Sequence, residues 1–323
     1  MHRFFRENIM YEHLLQLDTL NMTFNRFGAK LIALFLALVM YGVALGMKPH
    51  FFKSIFYKPR SLFIGLLCQW LILPLITFII VVLAKGFITP MVAMGLLLVA
   101  SCPGGAVSNF MASHAKGNPE LSVTMTTITT IAAPIFTPLN FAIWGGLYVK
   151  YFAASASSVL RTLAIPTEQL FITVIGVIGI PVLLGLLTTK YAPKVSERLK
   201  AVMRYLSILC FVVIVVILML DNIQLFKHYI KYVFVIVLIH NLLALLIGYI
   251  ASSIGKISLK DRRTLALETG IQNSALGLLL LFNTNIFPQE LANGGMAFVT
   301  AWWGIWHIIS GLILSTCFRF SKK

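Results

Sequence analysis

Apolar stretches of roughly 20 residues, separated by short polar or charged runs, recur along the chain from residue 28 to residue 318. A run of that length can cross the hydrocarbon layer of a bilayer as a helix. The pattern predicts nine such spans, at 28–47, 61–85, 90–116, 119–149, 166–189, 203–220, 229–253, 262–286 and 293–318. The predicted fold class is therefore an all-α polytopic membrane protein, in which helices satisfy every backbone polar group internally. Residues 1–27 contain no sustained apolar run and read as an amphipathic surface segment rather than a cleavable signal. Residues 319–323 form a short tail, and an odd number of spans puts the two termini on opposite sides.

Two of the nine spans are interrupted. SCPGGAVSN, residues 101–109, breaks the third, and ETGIQNS, residues 268–274, breaks the eighth. The breaks lie five spans apart, so matching spans one to four with spans six to nine inverts the second copy and leaves span five unpaired. Matching interruptions in two inverted halves are the pattern of a secondary transporter's binding site.

Composition supports the membrane reading: 59% of residues are hydrophobic, 11% are charged, and the mean hydropathy is +0.91. Soluble domains carry roughly 45–50% apolar residues. A net charge of +16 would suggest nucleic acid for a soluble chain, but here 17 of the 26 Lys and Arg fall on one side of the predicted topology. The positive-inside rule then places the C-terminus in the cytoplasm and the N-terminus outside, with a lipid bilayer and no nucleic acid as partner. Cys68, Cys102, Cys210 and Cys317 lie in apolar stretches without metal-ligand spacing and read as reduced core residues.

Irregular backbone at membrane depth is tolerated only where protein buries it or water reaches it. Pro103 removes a helical donor, and Gly104 and Gly105 let the chain turn and approach a neighbour. Freed carbonyls can coordinate a cation, while the half-helix restarting near Ser108 offers unpaired N–H groups to an anion. Ser108, Asn109, Ser122, Thr126 and Glu268 together make an all-oxygen cage suited to a hard monovalent cation. Sodium is the first reading, and a proton on Glu268 is its competitor. A carboxylate inside a span marks an ion pathway; the alternative is an acid bonded to a helix dipole or to Asn and Gln. His307 reads equally as a packed residue or a substrate contact. His240 and Asn241 read as interhelical hydrogen bonding, Asp221 as interfacial, and Gln69 as interhelical glue or an oxygen ligand.

The stretches CPGGAVSNFMASHAKGNPELSVTMTTITTIAAPIFTP and ALETGIQNSALGL resemble the two signature regions of the bile acid:sodium symporter family. The similarity runs in order from FLALVMYGVALGMKP to WHIISG. It implies a panel domain of spans 28–47, 61–85, 166–189 and 203–220. It also implies a core of spans 90–116, 119–149, 229–253, 262–286 and 293–318, in which the two broken helices cross. Bacterial relatives commonly have ten helices, and the resemblance implies for this chain the nine-helix arrangement without the first. Motif positions carry a first sodium site onto Ser108, Asn109, Ser122, Thr126 and Glu268. They carry a second onto Gln69, Glu268 and Gln272 with the carbonyls of Thr269 and Ile271. An organic anion is expected beside Asn273, His307, Ala106 and Ser108.

Ala106 stands where many relatives have Thr, and Ile308 follows His307 where bacterial relatives often have Asn. The carried anion is therefore open between a bile-acid-like molecule and a small carboxylate. The expected function is sodium-coupled symport by alternating access across the cell's inner membrane, with two sodium ions per substrate. Competing readings are a proton-coupled transporter using Glu268, a channel, and an intramembrane enzyme with Cys102 as nucleophile and His307 or Glu268 as base. No local His or Asp orients Cys102, so the chain is read as a non-enzyme.

Overall fold

The computed structural model describes residues 9–20, 26–47, 59–152, 165–221, 223–283, 285–288 and 291–321. Among them every named element is a helix. We number these α1 (Ile9–Asp18), α2 (Arg26–Leu45), α3 (Pro59–Leu83), α4 (Pro90–Ser101), α5 (Val107–His114), α6 (Pro119–Phe152) and α7 (Thr167–Tyr191). The remainder are α8 (Pro193–Asp221), α9 (Ile223–Ile254), α10 (Leu259–Gly270), α11 (Ser274–Leu281) and α12 (Gly294–Phe320). Five of these, α3, α6, α7, α9 and α12, are long and apolar enough to cross a membrane by themselves. The third and eighth predicted spans are each two shorter helices, α4 with α5 and α10 with α11, and their breaks fall on the two motifs. Helix α8 starts at Pro193, ten residues ahead of the expected 203, because Pro lacks only a donor that the first turn leaves unused.

Helices α3 and α7 each contain a widened π turn, at Cys68–Ile72 and Ile175–Gly179. Pro74 and Pro181 follow them, and neither can donate to the carbonyl four residues back. In α3 the Leu73 N–H bonds instead to Cys68 O, which turns Gln69 toward the protein interior.

Helices α2, α7 and α8 pack together. Gly42 lies against Met203, Gly185 lies against Tyr41 and Ala44, and the Tyr41 hydroxyl meets Thr188 Oγ1 at 3.1 Å. Helix α3 was expected in this group, but it packs on α4, α6, α9 and α10. The reason is visible in its side chains: Gly65 admits Met125 and Leu265, and Ser61 Oγ donates to Asp261 Oδ2 at 3.0 Å. Helices α9 and α10 pack along Asn241, Leu245 and Gly248, where a side chain at Gly248 would meet the Leu265 carbonyl and one at Gly270 would meet Leu245. The side chains of Cys210 and Asp221 lie outside the described residues. Cys68 and Cys102 are buried, whereas Cys317 is exposed on α12, on the face where apolar neighbours are also exposed.

The described part of the expected surface segment is built into the fold. Leu14 and Leu17 of α1 are fully buried, and so, nearly, is Asp18. Thr89 Oγ1 donates to Asp18 Oδ1 (3.1 Å) and the Met91 N–H donates to Oδ2 (2.9 Å), so this carboxylate caps the start of α4. Leu20 O accepts from the N–H groups of Asn293 and Gly294, at the start of α12. The end of α1 thus supplies acceptors to two helix N-termini.

Burial pushes the Asp18 carboxyl up from 3.8 to about 7, against the opposing hydrogen bonds from Met91, Thr89 and Val92. Between those values the folded chain keeps a proton that the unfolded chain has lost. Asp18 therefore lowers stability as pH rises from about 4 to about 7, by up to about 1.4 kcal/mol per pH unit, and adds no further slope above. Asp18→Asn retains an acceptor for Met91 and does not titrate. Melting curves between pH 5 and pH 8 should show the variant gaining on the wild type as pH rises; a constant gap would refute the assignment.

Candidate functional site

Helix α4 ends at Ser101 and α5 begins at Val107; α10 ends at Gly270 and α11 begins at Ser274. The two breaks satisfy each other. Gly104 and Gln272 form an antiparallel bridge, the Gly105 N–H donates to Ile271 O (2.8 Å), and the Asn273 N–H donates to Pro103 O (2.8 Å). Buried backbone groups that leave a helix need partners, and here each broken helix finds them in the other. Asn273 caps α11 by accepting from the Leu276 N–H at 3.2 Å.

Glu268, on the last turn of α10, is fully buried beside this crossing. Ser108 Oγ contacts Glu268 Oε1 (2.6 Å) and Gly105 O (2.8 Å). Ser122 Oγ contacts Glu268 Oε1 and Asn109 Oδ1 (2.9 Å). Thr126 Oγ1 contacts Glu268 Oε2 (3.1 Å) and Asn109 Oδ1 (3.2 Å). All five residues expected in the first site therefore meet. A hydroxyl has one proton to give, so three protons face six oxygen–oxygen contacts. With Asn109 Oδ1 turned toward Ser122 and Thr126, half of the contacts bring lone pair against lone pair, and none of the five side chains carries a positive charge. A cation among these oxygens resolves the mismatch; one proton on Glu268 supplies only a fourth donor.

The residues expected in the second site also gather. Gln69 Nε2 donates to the Glu268 backbone carbonyl (2.7 Å), and Gln272 Nε2 donates to Thr269 O (2.8 Å). With their nitrogens held, both amides leave Oε1 buried without a donor. Such orphaned acceptors are costly unless something electropositive meets them. Gly104 makes room for Gln69, since a Cβ there would stand 2.7 Å from Gln69 Nε2. Ile271 O already accepts from Gly105 but keeps a second lone pair. The Thr269 hydroxyl faces Gly248 of α9, so only its carbonyl belongs to this cluster.

The residues expected around an anion are more dispersed in role. Ala106 is exposed, whereas the Ser108 hydroxyl is engaged in the carboxylate cluster. Asn273 points its Nδ2 toward Met40 Sδ of α2, at 4.0 Å. His307 Nδ1 lies 2.8 Å from Trp303 O on its own helix. A carbonyl only accepts, so Nδ1 carries the proton and Nε2 presents a lone pair in the neutral ring. Ser274, the last residue of the ETGIQNS break, is expected in neither cation site; its Oγ is buried at the start of α11 without a hydrogen-bond partner. Cys102 Sγ is fully enclosed and points at Leu98 O (3.3 Å), with no base beside it among the described contacts.

A chain whose described elements are all helices, some of membrane-crossing length, with two of its predicted spans broken around a buried carboxylate, belongs to the class of polytopic membrane transporters. The sequence model of the sodium bile acid symporter family matches residues 33–229. The uncharacterized sodium-dependent transporter YocS of Bacillus subtilis is 31% identical over 90% of this chain and 83% of its own length. The ileal sodium/bile acid cotransporter of Mus musculus is 30% identical over 84% of this chain and 74% of its own. The P3 protein of Homo sapiens is 32% identical over 71% of this chain, which spans 46% of that protein. The chain belongs to the sodium bile acid symporter family, whose members are transporters and not enzymes, and sodium-coupled transport is its function class.

Proposed function

We propose that this protein carries an organic anion into the cell together with two sodium ions, by alternating access. The observation that carries the reading is the surplus of acceptors around Glu268: six contacts, three hydroxyl protons, and two further amide oxygens without donors alongside. Sodium is cargo in this scheme. Ser108, Asn109, Ser122, Thr126 and Glu268 hold one ion. Gln69, Glu268 and Gln272, with the carbonyls of Thr269 and Ile271, hold the other.

Nine membrane crossings arranged as an inverted repeat, in an inner membrane with the N-terminus outside, frame the mechanism. Helices α2, α7 and α8 form the panel, and α3 to α6 with α9 to α12 form the core. Asn283 Nδ2 bonds Thr173 Oγ1 of α7 at 3.2 Å, a panel–core contact that the swing must exchange. Coupling has a simple local origin. Ser108 and Asn109 are the first-turn residues of α5, so a cation drawing them toward Glu268 fixes the helix start that an anion approaches. By linkage the anion raises sodium affinity equally. The anion is a bile-acid-like molecule or a small carboxylate, with Asn273, Ala106, Ser108 and His307 nearest it. Two sodium ions with one monovalent anion move one net charge, worth about 2.3 kcal/mol per 100 mV.

The test is a melting curve of the purified protein in sodium chloride against choline chloride at fixed pH and ionic strength. Sodium should stabilise, by about 2.7 kcal/mol at a hundredfold excess over Kd. A carboxylate substrate should stabilise further only when sodium is present. Equal melting temperatures in the two salts, with a response to pH alone, would favour the proton-coupled reading instead.

A further inference from the structure

His240 and Asn241 are adjacent on α9 and buried, and neither touches the oxygen clusters. The Trp303 indole N–H of α12 meets His240 Nδ1 at 2.9 Å. An indole nitrogen only donates, so Nδ1 accepts and the imidazole proton sits on Nε2. Nε2 lies 2.9 Å from Thr77 Oγ1 of α3, and Thr77 Oγ1 gives its own proton to Leu73 O at 2.7 Å. Every direction in this relay is forced, from Trp303 through His240 and Thr77 to the α3 backbone. Asn241 links different groups: Nδ2 donates to Gly270 O (2.8 Å), and Ser310 Oγ of α12 donates to Asn241 Oδ1.

The two ends of these links are the two sides of the second oxygen cluster. Leu73 closes the π turn that contains Gln69, and Gly270 is the last helical residue before Gln272. Helix α3 needs such restraint because Phe63, Leu71, Ile79 and Leu83 are exposed along it. Apolar packing against lipid and against helix differ little in energy, so polar bonds rather than burial set rotation and depth. Two of them bracket Gln69, Ser61 to Asp261 below and Thr77 to His240 above.

We propose that His240 and Asn241 are positioning residues for the second cation cluster, holding Gln69 and the Gly270–Gln272 turn at the separation that lets both amide oxygens face one ion. The inference rests on reading that cluster as a sodium site. It assigns Thr77 and Trp303 a part in sodium binding although neither side chain reaches the cluster.

Sodium binding to the purified transporter, followed by melting temperature over a sodium chloride series balanced with choline chloride, tests it. Gln69→Ala, Thr77→Val, Trp303→Phe and Asn241→Ala are compared with the wild type. Thr77→Val and Trp303→Phe should raise the half-saturating sodium concentration by about tenfold, the size typical when support behind a metal ligand is lost. The steepness of the sodium response should fall toward that of one site, since the first cluster is untouched. His240→Gln, with one acceptor and one donor, should recover more sodium affinity than His240→Ala. A purely structural role would lower the melting temperature without sodium and leave half-saturation unchanged; that result in Thr77→Val and Trp303→Phe, with Gln69→Ala shifted, overturns the positioning role alone. An unshifted Gln69→Ala overturns the sodium reading of the cluster and this inference with it. If His240→Ala does not fold, the Thr77 and Trp303 variants, which keep the imidazole, decide.

Discussion

Glu268→Gln is expected to abolish sodium-driven uptake while leaving a well-folded protein that no longer responds to sodium. The variant changes the balance of protons as well as the charge. A carboxamide brings two N–H donors into a cluster where three hydroxyls face six contacts, so Ser108, Ser122, Thr126 and Asn109 can be satisfied without a cation. The cation then loses its one anionic ligand in a buried setting. Removing one partner of a buried charge pair costs about 3–5 kcal/mol, which is roughly a hundredfold or more in affinity. Melting curves should place the variant at or above the wild type in choline chloride, with the sodium-dependent rise gone. Uptake into proteoliposomes under an inward sodium gradient should fall to background. A variant that kept its sodium-dependent stabilisation would show that Glu268 is no ligand. One that still moved substrate in response to a pH gradient would move the coupling to another residue.

The two breaks and Glu268 were legible in the sequence because each breaks a strong local rule, whereas the ligand set of the second cluster followed only from the family resemblance. A Pro and two Gly inside an apolar run, and a Glu inside another, stand out whatever the surroundings. The place of α3 was not legible by the same means. Its large apolar residues fall on every side of the helix, so hydrophobic periodicity alone offers no inward face. What directs it against α4, α6, α9 and α10 is a set of small and polar residues, Ser61, Gly65, Gln69 and Thr77, each meeting a partner on another helix. Such a set can be recognised only once the partners are known. Asp18 illustrates the complementary limit: an acidic residue in a polar segment reads as solvated, and only the two helix starts beside it explain its burial. The protonation of His307 and His240 likewise follows from which group each ring nitrogen faces, and the chain order does not contain that information.

Gly105→Val is expected to eliminate both cation responses, whereas Gly104→Ala should weaken the second alone. The two glycines are neighbours, but a side chain added at each meets a different kind of obstacle. At Gly105 a Cβ would lie 3.1 Å from Gln272 O, 3.3 Å from Gln272 C and 3.3 Å from Ile271 Cγ2. Gln272 is held by the crossing, where Gly105 N–H bonds Ile271 O and Asn273 N–H bonds Pro103 O, so this backbone cannot give way without opening the pairing. Valine adds two further methyl groups, and overpacking of this kind costs about 1–3 kcal/mol or more. Parting the breaks separates Ser108 from Glu268, and Gln69 from Gln272, so both clusters are lost together. At Gly104 the Cβ meets only the amide of Gln69, the far end of a flexible side chain, with Nε2 nearest at 2.7 Å. The amide can swing aside, releasing its bond to Glu268 O and leaving the first cluster whole. Sodium titrations by melting temperature should therefore give no response for Gly105→Val and a shallower, right-shifted response for Gly104→Ala. Identical curves for the two variants would mean that the crossing acts as one unit and that Gln69 has no separate share in binding.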